Sequence, residues 1–180
     1  MTRVVFDEPA QGQEGSGDPG TLLHHALRRE ELCKLTVKDL RHERRGVVHL
    51  KVSGKGSKTR YVPLHPAASG LILDYLEADG RALETTGALF RAFGNRAGGT
   101  AKAITADAIY KIVRGYSANL GFEIGAHALR ATAATNALDH PADIAKVQEW
   151  LGHANIATTR IYDHRKTMAE GSPTFKVAYQ

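Results

Sequence analysis

The chain has 180 residues, 42% of them hydrophobic and 24% charged, with six prolines. This composition can bury a core in one domain of ordinary size, which excludes wholesale disorder. No apolar run approaches the roughly 20 residues of a membrane span, and the start, Met1-Thr-Arg-Val-Val-Phe-Asp-Glu, lacks the basic and apolar regions of a secretory signal. A single cysteine, Cys33, excludes an internal disulfide and a thiolate-cage zinc site. These features point to a soluble intracellular protein. Twenty-four Lys and Arg against 19 Asp and Glu give a net charge of +5. The first twenty residues hold one Arg and four acids, which leaves 23 basic against 15 acidic residues, or +8, over residues 21–180. A basic domain suits a polyanionic partner, because phosphate neutralisation dominates nucleic-acid affinity.

Residues 1–20 contain four of the 18 glycines and two prolines and read as a disordered leader. Gly15, Gly17 and Gly20 spell G-x-G-x-x-G. A dinucleotide loop must follow a strand and open a helix, and Pro19 sits inside this one, so a flexible linker explains the glycines better.

From Leu22 the pattern is helical, through Leu23, Leu27, Glu30 and Glu31 to Leu32. Val47-Val-His-Leu-Lys-Val52 alternates, Ser53-Gly-Lys-Gly-Ser57 supplies a glycine-rich tip, and Arg60-Tyr-Val-Pro-Leu64 returns, which predicts a β-hairpin. Pro66 and Gly80 frame a helix over 67–79 with Leu71, Leu73, Tyr75 and Leu76 apolar. Residues 92–101 read as a loop. Thr105 can cap a helix with the stripe Ile109, Ile112, Val113 and Tyr116, ended at Gly121. A helix over 126–138 follows. Another, after Pro141, carries Ile144, Val147, Trp150 and Leu151 on its buried face and stops at Gly152. Asn155 caps a short helix with Thr158, Arg160 and Tyr162, and no period is visible from Lys166 onward. The fold class is therefore α+β, predominantly α-helical, with one small antiparallel β-sheet.

Four stretches stand out: Ala26-Leu-Arg28-Arg-Glu-Glu-Leu32, Gly54-Lys55-Gly56, His127-Ala-Leu-Arg130, and Leu151-Gly-His153 with Tyr162 nine residues later. Each alone has an ordinary explanation as a solvated arginine, a turn, a local hydrogen bond or a core aromatic. Together, in this order and spacing, they resemble the catalytic domain of the tyrosine recombinases, the phage-type integrases and Xer-like resolving enzymes. The family boxes Gly-Leu-Arg-x-x-Glu-Leu, Gly-Lys-Gly with a following Val-Pro-Leu strand, His-x-Leu-Arg and Leu-Gly-His…Tyr all find counterparts, the second in Gly54-Lys55-Gly56 and Val62-Pro63-Leu64. The resemblance covers roughly residues 21–166, with 167–180 as a C-terminal tail.

The resemblance implies DNA strand cleavage by a tyrosine oxygen, leaving a 3′-phosphotyrosyl link and a free 5′-hydroxyl, so that rejoining needs no ATP. Tyr162 would be the nucleophile. A free phenol has a pKa near 10, so only about one in a thousand is ionised at pH 7 and a proton acceptor is required. Arg28 and Arg130 would clamp the non-bridging phosphate oxygens with planar, bidentate donors that lysine cannot imitate. His153 would donate a further hydrogen bond to the phosphate, His127 would assist removal of the tyrosine proton, and Lys55 would protonate the leaving 5′-oxygen. These cations would supply the charge that other phosphoryl-transfer enzymes take from Mg²⁺, so neither metal nor cofactor is expected. Lys58, Arg60 and residues 91–102 are candidate phosphate contacts.

Glu31 reads as a support for the Arg28 helix, Tyr61, Tyr75, Tyr110 and Tyr116 as core, and Trp150 as a buried neighbour fixing His153. His24, His25, His140 and His164 show no metal spacing and read as surface or cap residues. The expected partners are double-stranded DNA and further copies of the chain in a synaptic tetramer, with the 166–180 tail docking on a neighbour, in the cytoplasm and at the nucleoid. The sequence departs from the family in two ways. Ala26 replaces a glycine, a mild change if the backbone there is helical, and the helical DNA-clamp domain that usually comes first has no counterpart, as in a truncated chain. Three readings stay open: a competent cleaving and rejoining domain, a DNA-binding remnant, and a module for another polyanion. Type IB topoisomerase-like relaxation is an alternative within the first.

Overall fold

A computed structural model describes residues 24–54, 56, 58–92, 102–140, 142–164, 172 and 174. The expected leader, the Lys55 side chain, most of the loop 92–101 and nearly all of the tail lie outside the described residues. In chain order the elements are α1 (Arg29–Cys33), a 3-10 turn (Val37–Leu40), β1 (His42–Arg44), β2 (Val47–Ser53), β3 (Thr59–Pro63), α2 (Pro66–Ala78), α3 (Ala106–Asn119), α4 (Ala126–Asp139), α5 (Ile144–Leu151) and α6 (Ala157–Arg160). The architecture is α+β and mainly helical, with one three-stranded antiparallel sheet in the order β1-β2-β3. Among the described residues no helix is long and apolar enough to cross a membrane.

The expected continuous helix from residue 22 to 32 is not observed. His24 and His25 are helical, but Ala26 has φ +48, and Arg28 is extended at φ −74, ψ 145 before α1 begins. The Glu31 carboxylate accepts the backbone N–H of Arg28 at 2.9 Å, restarting the helix as in a capping box. The glycine-to-alanine change at position 26 therefore falls on left-handed backbone, where a Cβ is strained.

The hairpin forms as expected, with Leu50 opposite Val62 and Val52 opposite Arg60. Leu50, Val52 and Val62 are buried on one face, as a period of two requires. The additional strand β1 pairs with β2 through the two-residue turn Arg45-Gly46. Both turn residues have positive φ, +52 and +77, the signature of a type I′ turn.

Helix α2 buries Ala68, Ile72 and Leu76 and leaves Leu71 and Leu73 exposed. The i, i+4 stripe decides which apolar residues face inward. Helix α3 is capped by the Thr105 hydroxyl, which accepts from Ala108 N at 3.1 Å. The main core gathers Leu27, Leu32, Leu50, Phe90, Ile109 and Leu129, among others. A second cluster of Ala26, Ala133, Ala134, Leu138, Val147 and Leu151 holds α4 against α5. Half-buried Trp150 packs against both clusters.

Candidate active site

The Leu-Gly-His box lies where α5 ends. Gly152 has φ +65, and a Cβ there would lie 3.2 Å from Arg60 Nη1. The left-handed stop calls for glycine, and a Cβ there would also crowd the Arg60 guanidinium. The stop turns the Leu151 carbonyl back towards two arginines. Arg130 Nη2 donates to it, and Arg28 Nη1 reaches it at 3.4 Å. Arg130 Nη1 donates to the carbonyl of Ala26, so the left-handed residue holds the buried guanidinium from the other side. Residues 28, 130 and 151 are brought together by this carbonyl and by the packing of α4 against α5.

Arg130 also donates from Nη2 to His153 Nε2 at 3.1 Å. His153 Nδ1 lies 2.9 Å from the Thr159 hydroxyl. Burial, followed by the charges of Arg130, Arg28, Arg60 and His127, pushes the His153 imidazole down to about 4. It is neutral at pH 7. Burial, with the Arg28 charge behind it, lowers the Arg130 guanidinium to about 10, which leaves it charged. The Tyr162 ring lies 6.3 Å from the His153 ring, centroid to centroid. Tyr162 stands in the turn after α6 rather than on it. Its amide still donates to the Thr159 carbonyl at 3.0 Å; Ile156 rather than the expected Asn155 is the N-cap of α6, and Asn155 Oδ1 accepts from Ala157 N at 2.8 Å just ahead of it.

Glu31 is buried and accepts from two arginines. Arg28 Nη1 lies 2.9 Å from Oε1, while Arg60 reaches Oε1 from Nη1 at 2.8 Å and Oε2 from Nη2 at 2.9 Å. Arg60 Nε donates to the Trp150 carbonyl at 3.0 Å. Burial works to raise the Glu31 carboxyl, but the Arg60 hydrogen bonds, the Arg28 amide and the positive charges together hold it at about 2. Arg60, grouped with Lys58 as a DNA contact, thus lies in the wall of the site, bridging β3 to α1 and α5. Lys58 is exposed on the rim of a groove of about 920 Å³ whose lining includes Arg28, Arg60, Gly152 and His153. His127, exposed at the start of α4, lines an adjoining cavity of about 360 Å³ with Arg28, Arg130 and Tyr110.

The structure thus brings together Arg28, His127, Arg130, His153 and Tyr162. Lys55 lies outside the described residues. Its flanks close the hairpin next to the site: Gly54 N donates to the Lys58 carbonyl at 2.7 Å, and a Cβ at Gly54 would stand 3.5 Å from Glu31 Oε1. Of the expected core tyrosines, Tyr75 packs on Phe90, Tyr61 lies under the Arg44 guanidinium at 3.6 Å, and Tyr110 accepts from Arg114 at 3.0 Å while facing the His127 cavity. All four are half-buried rather than fully enclosed. Arg130 and Thr159 hold the His153 ring where Trp150 was expected to do so. His25 is buried and accepts the His65 amide at 3.0 Å, and His140 Nδ1 lies 2.8 Å from the Asn136 carbonyl at the end of α4. Among the described residues no group of three or more His, Cys, Asp or Glu is placed to hold a metal ion.

Residues 20–168 match the family model described as the phage integrase family, and the chain belongs to that family. It is 40% identical over 139 residues to the tyrosine recombinase XerC of Corynebacterium efficiens, covering 77% of this chain and 42% of that one. It is 38% identical over 143 residues to XerD of Listeria innocua, covering 77% and 46%. In structure it resembles the XerH site-specific recombinase bound to its difH substrate before cleavage, with a TM-score of 0.67, 28% identity, and coverage of 82% of this chain and 41% of that one. The XerA recombinase matches with a TM-score of 0.64 and 28% identity over 88% and 56%. The chain spans less than half the length of the curated relatives XerC and XerD.

Proposed function

We propose that this chain cleaves and rejoins double-stranded DNA in site-specific recombination, with Tyr162 as the nucleophile. The observation that carries this reading is the convergence of Arg28 and Arg130 on one carbonyl beside His153, with the Tyr162 ring 6.3 Å from the His153 ring. Two guanidiniums gathered side by side before a substrate arrives present planar donors to a phosphodiester. The relatives named tyrosine recombinases, and the neighbours crystallised on DNA substrates, support the choice of DNA over another polyanion.

In the cleavage step Tyr162 Oη bonds to phosphorus and the bond to the 5′-oxygen breaks. His127 takes the phenolic proton, and Lys55 returns a proton to the leaving oxygen. Arg28 and Arg130 hold the non-bridging oxygens as charge gathers there, and His153 adds a hydrogen bond. Attack by a 5′-hydroxyl of another strand reverses these steps and gives recombination. Rejoining the same strand after it swivels gives type IB relaxation. Lys58, on the groove rim, holds the DNA backbone. The chain acts in the cytoplasm at the nucleoid, and copies of it assemble as a tetramer on DNA.

The reading is tested by incubating the protein with supercoiled plasmid in EDTA and quenching with detergent, alongside Tyr162→Phe. A protein–DNA adduct or relaxation lost in the variant supports it. A gel shift without adduct contradicts cleavage and leaves DNA binding, and no binding at low salt contradicts both.

A further inference from the structure

The contacts of His153 fix where its proton lies. An arginine has only N–H donors, so the nitrogen facing Arg130 Nη2 at 3.1 Å carries the lone pair. The neutral ring therefore keeps its proton on Nδ1, which donates to the Thr159 hydroxyl at 2.9 Å. In this state Nε2 is an acceptor. A phosphate entering the groove presents only acceptors, and it competes for the same Arg130 guanidinium. Once Arg130 turns to the phosphate, Nε2 must become a donor to serve it.

A hydroxyl can accept or donate, and Thr159 is fully buried directly behind the ring. On the functional reading above, we propose that Thr159 is a positioning residue for strand cleavage. Its hydroxyl accepts from His153 Nδ1 in the free protein and rotates to donate to Nδ1 when a DNA phosphodiester takes Arg130, so that Nε2–H faces the phosphate. One proton leaves Nδ1 and one arrives at Nε2 by way of groove water, and no net proton is gained.

The surrounding charge favours this neutral exchange over formation of an imidazolium. Arg130 and His127 act on the ring from α4, Arg28 from just before α1 and Arg60 from β3, while Glu31 and Glu149 line the same groove as His153 and Tyr162 follows α6. Glu31, the buried carboxylate, offsets one of the three arginines, whereas Glu149 is exposed and screened by water. The single charge of a phosphodiester offsets a second, and one positive charge remains against protonation. The free imidazole, already held at about 4, has the same bias.

The test uses the full chain labelled with ¹⁵N-histidine, with His153 assigned by the signal lost in His153→Gln. In the free protein the expected pattern is a protonated Nδ1 and an unprotonated Nε2. In the Tyr162→Phe protein bound to a duplex carrying a mapped cleavage site, the pattern inverts. A doubly protonated His153 in the complex, an unchanged pattern there, or Nε2–H already present in the free protein overturns the proposal. In the Tyr162 parent, Thr159→Val lowers the single-turnover rate of adduct formation about 10- to 100-fold, the range seen when a partner orienting a metal-ligand histidine is lost. DNA affinity stays unchanged, and Thr159→Ser restores the rate. Equal losses in both variants, at unchanged thermal stability, count against the switch. A parent chain that makes no Tyr162 adduct overturns the functional reading instead, while the free-protein spectra of the parent and Thr159→Val still decide the His153–Thr159 pairing.

Discussion

Glu31 and Arg60 face each other in a bidentate pair, with Nη1–Oε1 at 2.8 Å and Nη2–Oε2 at 2.9 Å. The pair fastens the β2–β3 hairpin to the helix that follows Arg28, while Arg60 Nε on the Trp150 carbonyl ties the same strand to α5. Three segments that carry family boxes are thus joined through the Arg60 guanidinium. Removing Arg60 strands a buried anion beside Arg28 alone. Arg60→Ala lowers stability by about 3 kcal/mol in chemical denaturation, as expected for one partner of a buried pair.

The same carboxylate gives a pH signature. Its folded pKa, about 2, lies below the usual 4.5, so its contribution is full above pH 4.5 and is lost as pH falls towards 2. The gap corresponds to roughly 3 kcal/mol. In denaturation series from pH 7 to pH 2, Glu31→Gln lacks this portion of the acid destabilisation. A variant with the same acid slope as the parent contradicts the assignment.

His153 has the same sign by a different route. Its folded pKa of about 4 lies below the ordinary 6.5, so between these values the unfolded chain binds more protons and stability rises with pH. His153→Gln flattens the stability curve between pH 4 and 6.5 and leaves it unchanged above pH 7. Stability measured at half-unit pH steps checks this.

Ala26 sits at φ +48 with its methyl fully buried and its carbonyl on Arg130. Glycine there relieves about 1 kcal/mol of left-handed strain, but loses a buried methyl and gains unfolded-state freedom of similar size. Ala26→Gly therefore stays within about 1 kcal/mol of the parent. Ala26→Val, β-branched at a left-handed position, loses more than about 2 kcal/mol and lowers adduct formation with it.

The two arginines separate stability from chemistry. Arg130 is 2% exposed and holds two carbonyls and His153. The Arg28 side chain is 38% exposed. Arg28→Lys leaves the denaturation midpoint near the parent and lowers adduct formation about 100- to 1000-fold, the scale of one lost donor to developing charge. Arg130→Lys loses activity to at least the same degree and also lowers stability by about 2 kcal/mol, because an ammonium cannot span three acceptors arranged for a planar fork. Similar stability in the two variants contradicts this division.

Much of this architecture was legible in the residues. Thr105, Gly121 and Gly152 mark helix ends because capping and left-handed stops act locally, and the alternation of residues 47–52 marks β2 for the same reason. The family boxes led to Arg28, His127, Arg130, His153 and Tyr162, which the fold gathers. Strand β1 has no sequence signal because three residues carry no period and its turn uses Arg-Gly in place of Asn-Gly. Residues 22–32 read as one helix because apolar spacing does not register a single left-handed residue. Arg60 shares the inward face of β3 with Val62, and a charge at an inward position signals a buried partner. The identity of that partner, Glu31, depends on long-range packing that no local pattern records. Thr159 is silent in the sequence for a related reason, since its hydroxyl acts only through the His153 ring it meets.

The proposed function stands or falls with Tyr162 as the residue that carries the DNA strand. The most direct measurement is mass spectrometry of the protease-digested adduct, trapped in EDTA on a duplex labelled on either side of the break. One modified peptide is expected, containing Tyr162 linked to a 3′-phosphate, with a free 5′-hydroxyl on the other fragment and no adduct from Tyr162→Phe. An adduct on another tyrosine, a 5′-phosphate link, or cleavage that survives Tyr162→Phe would contradict it.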